Sequence, residues 1–229
     1  MATPRTALII GASRGLGLGL VKQLRANGWQ VTATVRDPQR AEALRQVPGV
    51  AIETLDIDDG SALQVLAGRL EGQVFDLLLV NAGIMGPADQ SPAAVKAEAL
   101  GQLFMTNALA PIRLAERLVG QVRPRTGVLA FMSSVLGSVA CPEGNDKSLY
   151  KASKAALNSL THSFFVEQLQ DSGLTVLSLH PGWVKTDMGG DQAPLEIEPS
   201  CHGLVQQLER HAGLGGHRFI DYQGQTIAW

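Results

Sequence analysis

The 229-residue chain has little cysteine, with only Cys141 and Cys201. Two cysteines do not make a disulfide framework, and no CxxC pair is present, so no metal site is expected. No apolar run approaches the length of a membrane-spanning helix. The N-terminus lacks the long apolar core of a signal peptide. These absences predict a reduced, cytoplasmic compartment and no membrane partner. An excess of one charge is also missing: 19 Lys and Arg face 21 Asp and Glu, for a formal net charge of -2. That balance gives no general argument for a nucleic-acid partner, although it leaves room for a local basic pocket. What is present is 45% hydrophobic and 17% charged residues, a composition that excludes long disorder and collagen-like sequence. A chain of this length buries a full core as one domain spanning residues 1–229. Glycine is plentiful, at 25 residues, and predicts many tight connections between short elements.

Apolar runs alternate with helical patterns from end to end. Strands are expected at residues 7–10, 31–35, 50–55, 74–80, 128–132, 176–180 and 218–221. The run at 74–80 is nearly continuous, as burial on both faces requires. Helices are expected at 15–27, 38–46, 61–70, 93–122, 150–170 and 199–210. Leu16, Leu20, Val21 and Leu24 repeat at helical spacing before Gly28, a natural stop. Asp37-Pro38 supplies an N-cap and a first-turn proline. Pro111 marks a bend or an internal start in the longest helix. The alternation predicts a single doubly wound α/β domain, its mostly parallel sheet covered by helices on both faces. Ligands of such sheets bind at the carboxyl ends of the strands. The two least regular segments, 137–149 and 183–198, both follow strands.

Gly11-Ala12-Ser13-Arg14-Gly15-Leu16-Gly17 lies between the first strand and the first helix. Its glycines permit a tight turn and the approach of a phosphate, and the helix beyond offers unpaired N–H groups with a partial positive charge. Arg36 follows the second strand, where an acidic residue would bond a free ribose 2'-hydroxyl. Arg14 and Arg36 are instead suited to a 2'-phosphate, through charge-assisted bonds. Asp37 either accepts a ribose hydroxyl or, on the preferred reading, caps the helix beginning at Pro38. Asp56 either faces an adenine amino group or is a surface acid. Asn81-Ala82-Gly83 ends the fourth strand, where an amide can tie backbones together and glycine leaves room for a cofactor.

Tyr150 and Lys154 are four residues apart at the start of a helix, one turn apart on one face. Carbonyl reduction needs a hydride on carbon and a proton on oxygen. A free phenol titrates near 10, and a nearby ammonium lowers it. Ser133-Ser134 follows the fifth strand, where a hydroxyl can hold a substrate oxygen beside Tyr150. A serine nucleophile lacks its usual elbow, because no GxSxG is present. His180 is a candidate base, read as structural. Asn107 is a polar amide in an apolar stretch, which calls for partners or water, and it is expected to distort its helix.

In chain order, the glycine turn at 11–17, Asn81-Ala82-Gly83, Asn107, Ser134, Tyr150-xxx-Lys154, Pro181-Gly182 and Thr186 resemble the short-chain dehydrogenase/reductase family. The likeness runs from about Thr6 to the C-terminus. Residues 179–190 (LHPGWVKTDMGG) and 150–158 (YKASKAALN) are most similar to its short carbonyl-reductase and C-factor-like branch. The resemblance implies an oxidoreductase that interconverts a carbonyl and an alcohol; the alternative is a nucleotide-binding signalling protein with little turnover. It implies Tyr150 as general acid and base, Lys154 depressing its pKa and bonding the nicotinamide ribose, Ser134 on the substrate oxygen and Asn107 supporting a water-linked relay. It implies cofactor contacts from Gly11, Ser13, Arg14, Gly15, Leu16, Gly17, Arg36, Asp56, Ile57, Asn81, Ala82 and Gly83, then Tyr150 and Lys154, then Pro181, Gly182, Val184 and Thr186. NADP(H) is the expected cofactor, with NAD(H) also usable. A homodimer or homotetramer through the helices at 93–122 and 150–170 is implied as well. Ser134 and Tyr150 stand farther apart than is usual in the family, which leaves Ser133 as the fallback. The loop between them, with Cys141, Pro142 and Glu143, is expected to shape the pocket. The short stretch after Thr186 predicts an open site.

Overall fold

The computed structural model describes residues 4–141 and 146–229. The strands and helices alternate as β1 (Thr6–Ile10), α1 (Gly15–Ala26), β2 (Gln30–Val35), α2 (Glu42–Arg45), β3 (Val50–Thr54), α3 (Gly60–Arg69) and β4 (Leu77–Val80). Then come α4 (Ala97–Phe104), α5 (Ala110–Leu118), β5 (Val128–Met132), α6 (Ser148–Phe164), β6 (Thr175–His180), α7 (Ile197–His211) and β7 (Gly216–Asp221). The strands form one sheet in the order β3-β2-β1-β4-β5-β6-β7, and every pairing between them is parallel.

Alternate residues of the buried strands feed two cores. Ala7 and Ile9 of β1 face one helical layer with Leu20, Val21 and Leu24 of α1 and Leu204 and Leu208 of α7. Leu8 and Ile10 face the other, with Leu66 of α3, Leu114 of α5 and Leu157 of α6. Full burial of one such leucine is worth about 1.5–3 kcal/mol. This two-sided burial explains why the strands read as continuous apolar runs rather than as alternating ones.

The strand order reverses between β1 and β4, which run side by side with Ile10 opposite Val80. A crevice opens at the carboxyl edge of such a sheet, where the order switches. The turn after β1 and the segment Asn81-Ala82-Gly83 after β4 both lie at that edge.

Four expected elements differ from the observed ones. The helix expected over 38–46 is a 3-10 turn at Pro38–Arg40 followed by the single turn of α2; Asp37 Oδ1 caps the first by accepting from Gln39 N at 2.9 Å. Asp37 thereby takes the capping role of its two readings. The strand expected over 74–80 starts at Leu77, because Phe75 bridges to Val122 and the Asp76 carboxylate accepts the Thr6 N–H at 2.8 Å. The helix expected over 93–122 begins at Ala97, widens into a π turn at Met105–Leu109 and ends as α5 at Leu118. Proline has no N–H, so Pro111 cannot give the Asn107 carbonyl its ordinary i+4 donor. The helix instead lengthens its loop by one residue, with Ala110 N donating to Met105 O. A second π turn, Phe165–Leu169, closes the helix expected over 150–170.

Candidate active site

The turn after β1 is built from backbone that other residues would obstruct. Gly11 and Gly15 adopt φ of +85° and +53°, the region glycine tolerates. A Cβ on Gly17 would sit 2.1 Å from the Gly11 carbonyl and 2.7 Å from Asn81 Nδ2. Asn81 Nδ2 donates to that same carbonyl at 2.7 Å. The amide thus ties the end of β4 to the glycine turn, as the Asn-Ala-Gly motif implies. Thr34 fixes the start of the turn: its hydroxyl accepts from Gly11 N at 3.0 Å, and its carbonyl accepts from Ala12 N at 2.8 Å. Among the described residues no side chain caps α1, so its first N–H groups point at the crevice and suit a phosphate. A Cβ on Gly15 would lie 3.5 Å from the Thr186 methyl, which places Thr186 opposite the turn. Ser13 and Leu16 are half-buried within it.

Around this cradle the other expected cofactor residues fall at the same edge. Arg36 is exposed immediately after β2. Arg14 is also exposed and forms an ion pair with Asp187, a partner 173 residues away in the chain. Asp56 is half-buried and accepts from Asp58 N at 3.1 Å, while Ile57 packs on the core beneath. Ala82 N and Asn81 N both donate to the Ile10 carbonyl at 3.0 Å. On the far side Gly182 has φ +84°, the Pro181 carbonyl accepts from Ser200 Oγ at 2.6 Å, and Val184 is buried and bridges to Leu195.

The reacting end is where β5, α6 and the segment after β4 converge. Tyr150 and Lys154 are 7% and 4% exposed. Lys154 Nζ lies 5.8 Å from the centre of the Tyr150 ring and donates to the Met132 carbonyl at 2.8 Å. A Cβ on Gly83 would fall 3.5 Å from Lys154 Nζ and 3.3 Å from Asn107 Oδ1, so the glycine keeps the ammonium accessible from the β4 side. The Ser134 hydroxyl is near enough to the Tyr150 phenol to draw its pKa down by hydrogen bonding. Ser133 is occupied elsewhere, donating to Asn158 Oδ1 at 2.7 Å from a buried position. The longer spacing therefore leaves Ser134, not the fallback, beside Tyr150. Pro142 and Glu143 of the intervening loop lie outside the described residues.

Asn107 stands inside the π turn and is fully buried. Its Nδ2 donates to the Ile84 carbonyl at 2.8 Å and to Ser153 Oγ at 3.0 Å, while Oδ1 accepts from Ile84 N at 2.8 Å. The side chain is spent on structure, and the backbone carbonyl is the one that Pro111 deprives of its ordinary i+4 donor.

Electrostatics depart from the expectation that Lys154 lowers the phenol. Burial pushes Tyr150 up to about 12, and the bond from Ser134 offsets only part of that. Burial pushes Lys154 down to about 8. Burial and the Ser134 hydroxyl are the two influences on the phenol here. His180 is pushed down to about 4 by burial, and its buried Nδ1 has no hydrogen-bond partner among the described residues, consistent with a neutral structural histidine.

The family model of short chain dehydrogenases matches residues 5–196. The chain belongs to that family. Among solved structures, a carbonyl reductase from Pseudomonas aeruginosa PAO1 in complex with NADP superposes with a TM-score of 0.92 at 44% identity, covering 99% of this chain and 100% of that one. The carbonyl reductase Sniffer of D. melanogaster gives 0.87 at 32% identity, over 99% and 100%. C-signal of Myxococcus xanthus is 34% identical over 167 residues, which is 67% of this chain and 92% of that protein.

Three residues of this short chain dehydrogenase site escape a sequence reading. Asp187 pairs with Arg14. Ser153 donates to the Tyr150 carbonyl at 2.7 Å while accepting from Asn107; its place inside the Tyr150–Lys154 stretch was the available signal. Gln90 bonds the backbone of Tyr150 from an irregular segment that carries no periodic pattern.

Proposed function

We propose that the chain is an NADP(H)-dependent oxidoreductase that interconverts a carbonyl compound (aldehyde, ketone or quinone) with its alcohol. The observation that carries this reading is the meeting of Tyr150, Ser134 and Lys154 beside Gly83, at the edge where the glycine turn offers its cradle. The NADP complex of the P. aeruginosa carbonyl reductase supports the cofactor. The tight backbone turn that Gly11, Gly15 and Gly17 permit, leading into the uncapped start of α1, supports the fit.

When bound, the nicotinamide supplies the hydride. In reduction, Tyr150 holds its proton at the phenol oxygen and gives it to the substrate oxygen; in oxidation it takes the proton back. Held high, the phenol carries the proton that reduction needs, but it is a weak acid until its pKa is lowered, and oxidation needs the same lowering. Ser134 donates a hydrogen bond to the same oxygen and fixes its distance from Tyr150. Lys154 spends one N–H on Met132 and turns the others toward the Gly83 side, where they suit a ribose hydroxyl and a developing phenolate. The Asn107 carbonyl suits a water that passes protons to Lys154. Arg14 and Arg36 hold the 2'-phosphate.

Two measurements test this. Purified protein should oxidise NADPH with members of a panel of aldehydes, ketones and quinones; no turnover on the whole panel would reject it. Arg36→Ala should weaken NADP binding about tenfold or more, as loss of a charge-assisted contact of about 1.5–3 kcal/mol implies, and leave NAD binding nearly unchanged. An unaltered NADP-to-NAD ratio would remove Arg36 from that role.

The likeness to C-signal favours a second reading, a nucleotide-binding signalling protein with little turnover. Pure binding has no use for a phenol, hydroxyl and ammonium brought together. Tight NADPH binding without turnover on the panel would favour it.

A further inference from the structure

The first four N–H groups of a helix have no partner within it, and Tyr150 is the third residue of α6. Lys147, the residue preceding α6, provides no side-chain cap. The Tyr150 N–H is nonetheless paired: it donates to Gln90 Oε1 at 2.9 Å. Gln90 is 60 residues away in sequence, on the segment that leaves β4. Its Nε2 donates to the Pro87 carbonyl at 2.6 Å and to the Met85 carbonyl at 3.2 Å. The two carbonyls accept only, so the NH2 end of the amide must face them and the oxygen must face Tyr150. The same segment is fixed one residue earlier, where Asn107 holds both the N–H and the carbonyl of Ile84.

We propose that Gln90 is a positioning residue for Tyr150, a role that rests on the carbonyl-reductase reading of the site. Through one amide it locks the first turn of α6 to the segment after β4. The phenol comes from α6, whereas Gly83 and the cofactor edge come from β4. Their separation is therefore set by this side chain as well as by the helix packing below. Asn107 and Gln90 share the work along the segment: one seats Ile84 against the π turn, the other seats residues 85–87 against α6.

The test is Gln90→Met, which keeps the length and removes all three hydrogen bonds. Its kcat should fall about tenfold, less than the hundredfold a 1 Å misplacement can bring. The KM for the carbonyl, the Kd for NADPH and the Tm should stay near wild type. The isotope effect on kcat with NADPH deuterated at the transferred position should rise, because misplacement slows the chemical step itself. The chain has two tyrosines, so protein labelled with 15N-tyrosine reports the contact without turnover: the Tyr150 amide should shift and exchange faster in the variant, and that of Tyr222 should not. An unmoved Tyr150 amide would overturn the contact, and a moved amide with unchanged kcat would overturn the positioning role. Parallel losses in kcat, NADPH affinity and Tm would reduce Gln90 to ordinary structure. Wild-type protein without turnover on the panel would sink the carbonyl reading and the positioning role with it; wild-type turnover that is undiminished in Gln90→Met would sink the role of Gln90 alone.

Discussion

Burial acts on Tyr150 and Lys154 in opposite directions, and the two shifts can be separated by pH. Lys154 falls from 10.5 to about 8, so between those values the unfolded chain binds more protons than the folded one. Stability from this group is full above 10.5, and it is lost as pH falls through about 8. Tyr150 rises from 10.0 to about 12, so its contribution is full below 10 and is lost as pH rises through about 12. Between about pH 8 and 10 the lysine acts alone. Urea midpoints should therefore rise with pH in that window for wild type relative to Lys154→Met; equal slopes would contradict the burial of the ammonium. The Tyr150–Lys154 spacing and the arginine of the second turn were legible in the sequence because they are local patterns. Asp187 beside Arg14 and Gln90 beside Tyr150 were not, since each joins segments far apart in the chain.

Among the elements, the turn between β1 and α1 shows how little freedom a motif leaves. Gly17→Ala would drive a methyl into the Gly11 carbonyl at 2.1 Å, backbone that cannot swing aside. Overpacking of this kind costs about 1–3 kcal/mol. Thermal unfolding should show a lowered Tm and titration a weakened NADPH affinity; an alanine variant equal to wild type in both would contradict the cradle. Most strands and helices could be read from periodicity because both faces of the sheet are covered. The failures have physical causes. Residues 38–46 have apolar side chains enough for one turn only, with Ala41 and Leu44 buried. Pro111 signalled a disturbance and Asn107 a distortion, but neither specified a π turn over Met105–Leu109.

At the scale of the whole molecule, one domain carries both halves of the site at the reversal between β1 and β4. The alternation of elements announced a doubly wound parallel sheet, and such a sheet opens its crevice where the strand order reverses, here between β1 and β4. What the sequence did not disclose is how the two sides are held in register. Asn81 joins β4 to the turn, Asn107 joins α4–α5 to Ile84, and Gln90 joins that segment to α6. We propose a dimer or tetramer through α4–α5 and α6, with Leu109 and Val166 of the adjoining π turns 40% and 47% exposed. Sedimentation velocity should show one of those sizes, and a monomer at micromolar concentration would reject it.

In the proposed reaction the phenol of Tyr150 delivers the proton while the cradle holds the cofactor independently of it. Single-turnover oxidation of bound NADPH by a carbonyl that wild type reduces tests this most directly, in wild type and Tyr150→Phe. The account predicts NADPH affinity within a few-fold and a rate at least about a hundredfold slower in the variant, the lower range for loss of a general acid. A variant that binds NADPH normally and oxidises it at the wild-type rate would contradict it.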